Sequence, residues 1–496
     1  MKRRNMFACF CFLQAIIVIS LVLYSLALMD HNKGNQLQKE PTEKVPIVTT
    51  DATKEEIRRT VLRGIKKSVE GLDFTLFPYH LLREIDTYVE PEQKVNDEGE
   101  YSYFAKNDTY MEEDIPIWFE HKHDYCSGCF VVYGTGAQVI SLKDVTIVPN
   151  LGHGKKGGED IEDVINQKED EEVITIEQGY FVVDTQKSVS VTENLAGDLN
   201  KFYKGMLTKD STFVPYHQRK RPDMTGIIIV RHEYANFYHT TMTWYDIFLV
   251  MVLFKITPYQ VEVLWLDAHP SSKIDDAWEI LFGRPVRAGG LTHMIKYSNM
   301  IWTGFGPKGQ INQHKSDFLP FGEAYRHFVL TRFEINDEYV MNCKQIRITI
   351  IWRRNHVSHP RNPGGHVARK IANEEEVWKA AKEADPMAIV NGVQLDRLGM
   401  DEQLELISRT DILIGMHGAG LTHILYLPKT AGVIEFFPSY MSPGNSHFRA
   451  MARWRRIKYI VWQNTDESRE RKDHSTTIPI TVVKGTIRTM KEHICN

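Results

Sequence analysis

Twelve residues, Ile412-Leu-Ile-Gly-Met-His-Gly-Ala-Gly-Leu-Thr-His423, carry an apolar strand pattern into a glycine-rich turn and straight on into a helix pattern. Gly415, Gly418 and Gly420 let the backbone come close to a ligand, and the free N–H groups and dipole of a helix N-terminus favour an anion such as a pyrophosphate. His417, Thr422 and His423 add polar donors to the same turn. Glu435, near the end of the next expected strand, offers a carboxylate for the two hydroxyls of a ribose. Glycines at a strand-to-helix turn often serve tight packing alone, but the polar donors beside these favour a nucleotide-diphosphate site.

A second group, Arg231-His-Glu-Tyr-Ala-Asn-Phe-Tyr-His239, is followed by Thr240, Thr241, Thr243, Trp244, Tyr245 and Asp246. It begins where an apolar strand pattern ends, the place where open α/β sheets put their ligands. If a helix starts near Ala235, His239 and Asp246 lie seven residues apart on one face, and Asn236 lies within one turn of His239. Capping or packing explains any one of these side chains, yet so many ionisable groups at one strand end point to a site. A third group, Trp352-Arg-Arg-Asn-His-Val-Ser-His-Pro-Arg361, follows another strand pattern. Arg353 or Arg354 can clamp a phosphate bidentately, which lysine does less well. The strand-end position of Arg353 sets it apart from a merely solvated basic loop.

These groups need strand ends to hold them. Residues 226–230 form a β-branched run, 243–256 a mainly apolar segment of helical length, and 262–266 the next strand, ending at Asp267. Farther on, 345–352 reads as a strand, 373–383 as a helix opened by an Asn cap and three glutamates, and 387–390 as a strand. A helix at 401–409, a strand at 411–415, a helix at 421–427 and a strand at 432–437 complete the pattern. Strand alternating with helix implies an α/β fold with parallel sheets. Two such stretches, separated by the less regular residues 307–337, predict two Rossmann-like domains facing one cleft. Residues 152–172, glycine-rich and then acidic through Glu169, Asp170, Glu171 and Glu172, predict a solvated loop or helix face.

The 496 residues are 42% apolar, 25% charged and 11% aromatic, which excludes wholesale disorder, a fibre and a multi-span membrane protein. Sixty basic against 64 acidic side chains give a net charge of −4 and no surplus for a nucleic-acid partner. Lys2, Arg3 and Arg4 precede an apolar stretch at 7–29 that Asp30 closes. At about 1.5 Å per helical residue it can cross roughly 30 Å of hydrocarbon. It exceeds the usual apolar region of a cleaved signal peptide and lacks a clear small-x-small cleavage site. Residues 1–30 are therefore expected to be a cytosolic tail and transmembrane anchor, oriented by the positive-inside rule, with the polar 31–70 as a stem and the body lumenal. Of six cysteines, Cys126, Cys129, Cys343 and Cys495 fall in that body, where structural disulfides are expected with the pairing open. Asn107-Asp-Thr109 is an N-glycosylation sequon that fits the same placement.

The stretch from Ile412 to Glu435, with its Gly-x-His-Gly-Ala-Gly-Leu-Thr-His core, resembles glycosyltransferase family 61, which also contains the EGF-domain and dystroglycan O-linked N-acetylglucosamine transferases. Three further segments narrow the resemblance to the N-glycan β-1,2-xylosyltransferases. They are His232-Glu-Tyr-Ala-Asn-Phe-Tyr-His-Thr-Thr-Met-Thr-Trp-Tyr245, the block from Leu266-Asp-Ala-His269 to Asp276-Ala-Trp-Glu-Ile-Leu-Phe282, and Arg353-Arg354 through His359-Pro-Arg-Asn-Pro-Gly-Gly365 to Asn373-Glu-Glu-Glu376. The resemblance spans roughly residues 221–462 and leaves the acidic stretch and much of the first two hundred residues unmatched. It implies a type II Golgi membrane enzyme of the two-Rossmann, GT-B-like class, with 71–335 as the N-terminal acceptor-side domain and 336–496 as the C-terminal nucleotide-sugar-binding domain. Such enzymes transfer xylose from UDP-xylose to the core β-mannose of N-glycans on glycoproteins, with inversion and without a bound metal.

On that reading Arg353 meets the leaving diphosphate together with His417, Gly418, Ala419, Gly420 and Thr422, and Glu435 takes the ribose. The base stands across the cleft. Candidates are His239, Asp246 and Glu233, with His239 first because an imidazole titrates nearest the working pH and Asn236, counted with the ligand-binding residues, can orient it. No cofactor or metal is expected, since Asp267-Ala-His269 lacks the second carboxylate that would bridge a divalent cation to diphosphate. The alternatives are an O-linked N-acetylglucosamine transferase of the same family and a catalytically inactive glycan-binding protein.

Overall fold

The structure, a computed structural model, describes residues 93–95, 101–103 and 122–496, apart from 135–136, 186–188, 193, 196, 210–218, 305 and 317–318. The expected anchor at 1–30, the stem at 31–70 and the Asn107 sequon lie outside the described residues. Among the described residues no helix is long and apolar enough to cross a membrane.

The apolar runs of the C-terminal half pair as expected into a parallel sheet. Arg347–Ile351 lies between Ile389–Val393 and Ile412–Met416, and Gly432–Phe437 and Lys458–Gln463 follow in order. Every residue of Ile412–Met416 and Gly432–Phe437 is buried, as continuous apolar strands are when helices cover both faces. Successive side chains go to opposite sides. Ile412, Ile414 and Ile434 pack with Val377 of the helix Glu374–Ala384 and Val482 and Ile487 of Ile480–Cys495. Leu413, Val433 and Phe437 instead pack with Leu404 and Ile407 of Met400–Ser408 and Met451 of His447–Trp454. A disulfide from Cys343 to Cys495 ties the last helix to the segment before Arg347–Ile351.

Two strands from far upstream, Gln93–Val95 and Tyr101–Tyr103, extend this same sheet beyond Lys458–Gln463. Residues that the expected division places in a 71–335 domain thus complete the sheet of the 336–496 half.

The other sheet departs from a purely parallel, doubly wound plan. Val286–Arg287, Val261–Trp265, Arg219–Ile229 and Ile295–Thr303 run parallel. Beyond them Val139–Ile147, Phe130–Tyr133 and Lys122–Asp124 run antiparallel, with Phe181–Asp184 and Met206–Lys209 alongside. The reason is connection length: a parallel crossover needs a dozen residues or more, whereas hairpins need very few. The turn Cys126-Ser-Gly-Cys129 is one such return, closed by a disulfide, with Ser127 and Gly128 in the left-handed region at φ 52° and 88°.

The helix Phe237–Phe254 starts two residues after Ala235, where the Asn236 side chain accepts the Tyr238 N–H at 3.0 Å. Apolar almost all round, it is buried in a core that also takes in Val263 and Trp265 of one sheet and Leu421 and Ile424 beside the other. Its first turn therefore opens beside the glycine-rich turn at 417–420.

Candidate active site

The strand Ile412–Met416 runs into His417, and Ala419–Tyr426 continues as a 3-10 helix where an α-helix at 421–427 was expected. Leu421 N–H donates to the Gly418 carbonyl at 2.9 Å, which leaves the N–H groups of Ala419 and Gly420 at the open end of that helix. Arg353 lies directly on the turn. A Cβ added to Gly418 would stand 2.0 Å from one Arg353 Nη and 2.6 Å from its Cζ, so a residue without a side chain is what admits the guanidinium.

Arg353 is half-buried, and among the described residues its one side-chain hydrogen bond runs from Nε to the Ala368 carbonyl at 3.2 Å. Burial and the neighbouring Arg369 lower its pKa to about 10, so it stays charged at neutral pH. Arg369, at φ 59°, touches Met441 Sδ at 3.8 Å, and burial lowers its pKa as well. Neither arginine forms an ion pair with a described carboxylate. Two adjacent half-buried cations that no described carboxylate pairs repel each other, and an anionic ligand would offset that repulsion. Arg354 differs, because it is exposed and its Nε donates to Glu374 Oε2 at 2.9 Å.

Glu435 cannot take a ribose. It is fully buried, its Oε1 accepts from His417 Nδ1 at 2.6 Å, and its Oε2 accepts from the Tyr459 hydroxyl. The carboxylate fixes the His417 ring, whose Nε2 makes no hydrogen bond to a described residue. Thr422 is also misplaced for the diphosphate: it is wholly buried, with its hydroxyl enclosed in the protein. His423 stacks on Phe237 at 4.3 Å, and its Nδ1 donates to the Gly420 carbonyl at 2.9 Å. Burial lowers the His423 pKa to about 4, which keeps that ring neutral.

Across the cleft the three candidate bases separate by depth. His239 is half-buried in the first turn of Phe237–Phe254, forms no side-chain hydrogen bond with a described residue, and has its pKa lowered by burial against the opposing charge of Glu233. Glu233 itself is exposed, in a left-handed turn at φ 49° before the helix. Asp246 does share the His239 face, two turns on, but it lies in the core. Burial pushes its pKa well above the usual value, and a Cβ on Gly309 would come within 3.0 Å of its Oδ2. An acid so enclosed has no proton path to a substrate, so Asp246 is a core residue and not a base. Asp246→Asn replaces a neutral acid by a neutral isostere and should leave kcat within about twofold of the parent. A steady-state assay checks this. Asn236 serves as the helix cap and does not orient His239.

The structure adds residues that the motifs did not reveal. The Tyr238 hydroxyl donates to Asn312 Oδ1 at 2.7 Å and lies 3.0 Å from His314 Nε2. The His314 ring is 4.1 Å from that of His447, which is 6.1 Å from that of His417. Burial, reinforced by Arg453, lowers the His314 pKa to about 4, and burial with neighbouring histidines lowers that of His447 to about 3. Neutral imidazoles thus line the path from the His417 turn towards His239. No sequence spacing signals them, because His314 comes from the irregular stretch at 304–321 and His447 from the start of a distant helix.

Several acidic residues, after the strand Val261–Trp265 and in the acidic stretch, are engaged by basic side chains. Asp267 accepts from Arg231 Nη2 at 2.7 Å, Asp275 from Arg231 at 3.2 Å and from Arg287 at 3.0 Å, and Glu171 from Lys155 at 2.7 Å. Among the described residues no group of three or more His, Cys, Asp or Glu is placed to hold a metal ion.

In this α/β protein a strand-end glycine turn thus lies against two arginines that no described carboxylate pairs, beside the first turn of the helix that carries His239. Residues 234–434, which include His239, Arg353, Arg369 and the glycine turn, match the model of the family Glycosyltransferase 61, the family that the motifs resemble. The chain is similar to a beta-1,2-xylosyltransferase of Oryza sativa subsp. japonica, with 24% identity over 359 residues, 64% of this chain and 66% of the relative. It is similar to a beta-1,2-xylosyltransferase of Arabidopsis thaliana, also at 24%, over 67% of this chain and 74% of the relative. An EGF domain-specific O-linked N-acetylglucosamine transferase of Drosophila melanogaster is 36% identical over 143 residues, 29% of this chain and 24% of that enzyme. The chain thus spans just under two thirds of the rice relative and about a quarter of the fly one.

Proposed function

We propose that the protein is an inverting, GT-B-like glycosyltransferase that moves xylose from UDP-xylose to the core β-mannose of N-glycans in β-1,2 linkage, acting in the Golgi lumen from an N-terminal anchor. The observation that carries the reading is the contact of Arg353 with Gly418, with Arg369 beside it and no described carboxylate paired to either. Two relatives named beta-1,2-xylosyltransferases support xylose as the sugar.

In this mechanism the acceptor hydroxyl attacks the anomeric carbon in line while the bond to the UDP oxygen breaks. His239 takes the proton, which its neutral, unengaged ring can accept. Charge gathers on the departing diphosphate, where Arg353, Arg369, His417 Nε2 and the N–H groups of Ala419 and Gly420 meet it. Because these donors are fixed in the protein, transfer should proceed in the presence of EDTA. Loss of activity on chelation, restored by manganese or magnesium, would reject the metal-free form of the mechanism.

The 36% identity to the fly transferase over its matched segment favours a second reading, transfer of N-acetylglucosamine by the same cleft. Incubating the purified protein with a trimannosyl N-glycan and either UDP-xylose or UDP-N-acetylglucosamine, then weighing the product, separates the two. Gain of a pentose supports the first reading. Gain of an N-acetylhexosamine alone supports the second, and no gain from either donor supports a glycan-binding protein without activity.

A further inference from the structure

The acidic stretch at 169–172 contains one residue that contradicts its solvated appearance. Glu171 pairs with Lys155 at the surface, but the Glu172 side chain is fully buried. Its Oε2 accepts from His269 Nδ1 at 2.7 Å and its Oε1 from Arg361 Nη1 at 3.0 Å. Its carbonyl accepts the Ala268 N–H at 2.9 Å, and nearby Asn166 N–H donates to the Pro360 carbonyl at 2.9 Å. Burial alone would raise the Glu172 pKa. His269 and Arg361 more than offset burial and lower it, so the carboxylate stays ionised. One buried anion thus joins His269, just past the end of Val261–Trp265, to Arg361 in the loop that follows Arg347–Ile351. That loop begins at Arg353 and ends at Arg369, and between them it carries Pro360, Pro363, Gly364 and Gly365 and forms only turns.

We propose that Glu172 is a positioning residue: through Arg361 it holds the 353–369 loop against the other sheet, so that Arg353 and Arg369 stand ready for the diphosphate of the donor. The inference rests on the anion site described under the proposed function. A loop already ordered loses little freedom when the ligand arrives, whereas a released loop must be ordered by the ligand, which weakens binding. The groups that do the chemistry are untouched, so donor affinity should change and the chemical step at saturating donor should not.

The test uses the full chain and UDP as the probe. Glu172→Gln keeps the shape and removes the charge, and Arg361→Ala removes a side chain that is one third exposed while His269 still pairs the buried carboxylate. Each variant should weaken UDP binding in calorimetry roughly tenfold and raise the donor KM in step, leaving kcat and the acceptor KM within about twofold. The double variant should be no worse than either single one, and Arg361→Lys should recover part of the loss. UDP affinity and donor KM within twofold of the parent in both variants would overturn the inference. So would a loss spread equally over kcat, both KM values and thermal stability, which is what a merely structural role produces. A parent that fails to bind UDP would overturn the anion-site reading and this inference with it, whereas a parent that binds UDP no better than its variants overturns the inference alone.

Discussion

Arg353→Ala is expected to lower kcat about ten- to a hundredfold or more while the protein stays folded. A hydrogen bond to a charged group contributes about 1.5–3 kcal/mol, and when the charge builds up only as the bond to UDP breaks, that contribution appears in the rate. The fold should tolerate the change because Arg353 makes one side-chain hydrogen bond among the described residues, to the Ala368 carbonyl, and is repelled by Arg369. Removing one of two half-buried like charges relieves an unfavourable interaction even as it leaves a small void. Steady-state kinetics together with a thermal melt check both halves. Turnover within twofold of the parent would move Arg353 out of the phosphate site.

Gly418→Ala should cost nearly as much, by a different route. The backbone at Gly418 is extended, with φ 162° and ψ 168°, a conformation that alanine adopts without strain. What alanine cannot do is share its space with the guanidinium that lies 2.0 Å from the added Cβ. Arg353 must then move, and a displacement of about 1 Å at a reacting group can cost on the order of a hundredfold. The same picture predicts strong non-additivity. In a background that already carries Arg353→Ala the clash is absent, so Gly418→Ala should change kcat by less than about twofold. Two independent losses that multiply would show that Gly418 acts through its own backbone N–H and not through Arg353.

How far the sequence foretold the molecule depends on where each strand is buried. Arg347–Ile351, Ile412–Met416 and Gly432–Phe437 were legible because a parallel strand covered on both faces is a mainly apolar run, and these are, with Thr349 and Glu435 as polar interruptions. Val139–Ile147 was not, since Lys143 and Asp144 stand exposed in its middle and break any simple alternation. Gln93–Val95 offers a single apolar residue, Val95, and so no strand pattern. Its place in the sheet depends on pairing with Lys458–Gln463, more than 350 residues away.

The site shows the same limit at the level of side chains. The glycine turn and Arg353 were legible because both follow strand ends, and their contact needs only that the two strands be neighbours, as they are. Glu435 sits on the expected strand, but whether its carboxylate faces a ligand or the interior is decided by Tyr459 and His417, which occupy both oxygens. Thr422 and Asp246 fail for a related reason: helical spacing gives the direction of a side chain around its axis and says nothing of how deep that face lies. Arg369 escaped notice because it stands sixteen residues beyond Arg353 with no pattern around it, and only the return of the loop sets them side by side.

The most direct measurement is the product formed from UDP-xylose and a trimannosyl N-glycan in EDTA, read by mass and by proton NMR of the new anomeric centre. Transfer through one in-line displacement from an α-linked donor, with charge met by Arg353 and Arg369, predicts a gain of one pentose in β linkage to the core mannose. A pentose in α linkage, or no pentose while the protein remains folded and binds UDP, would contradict it.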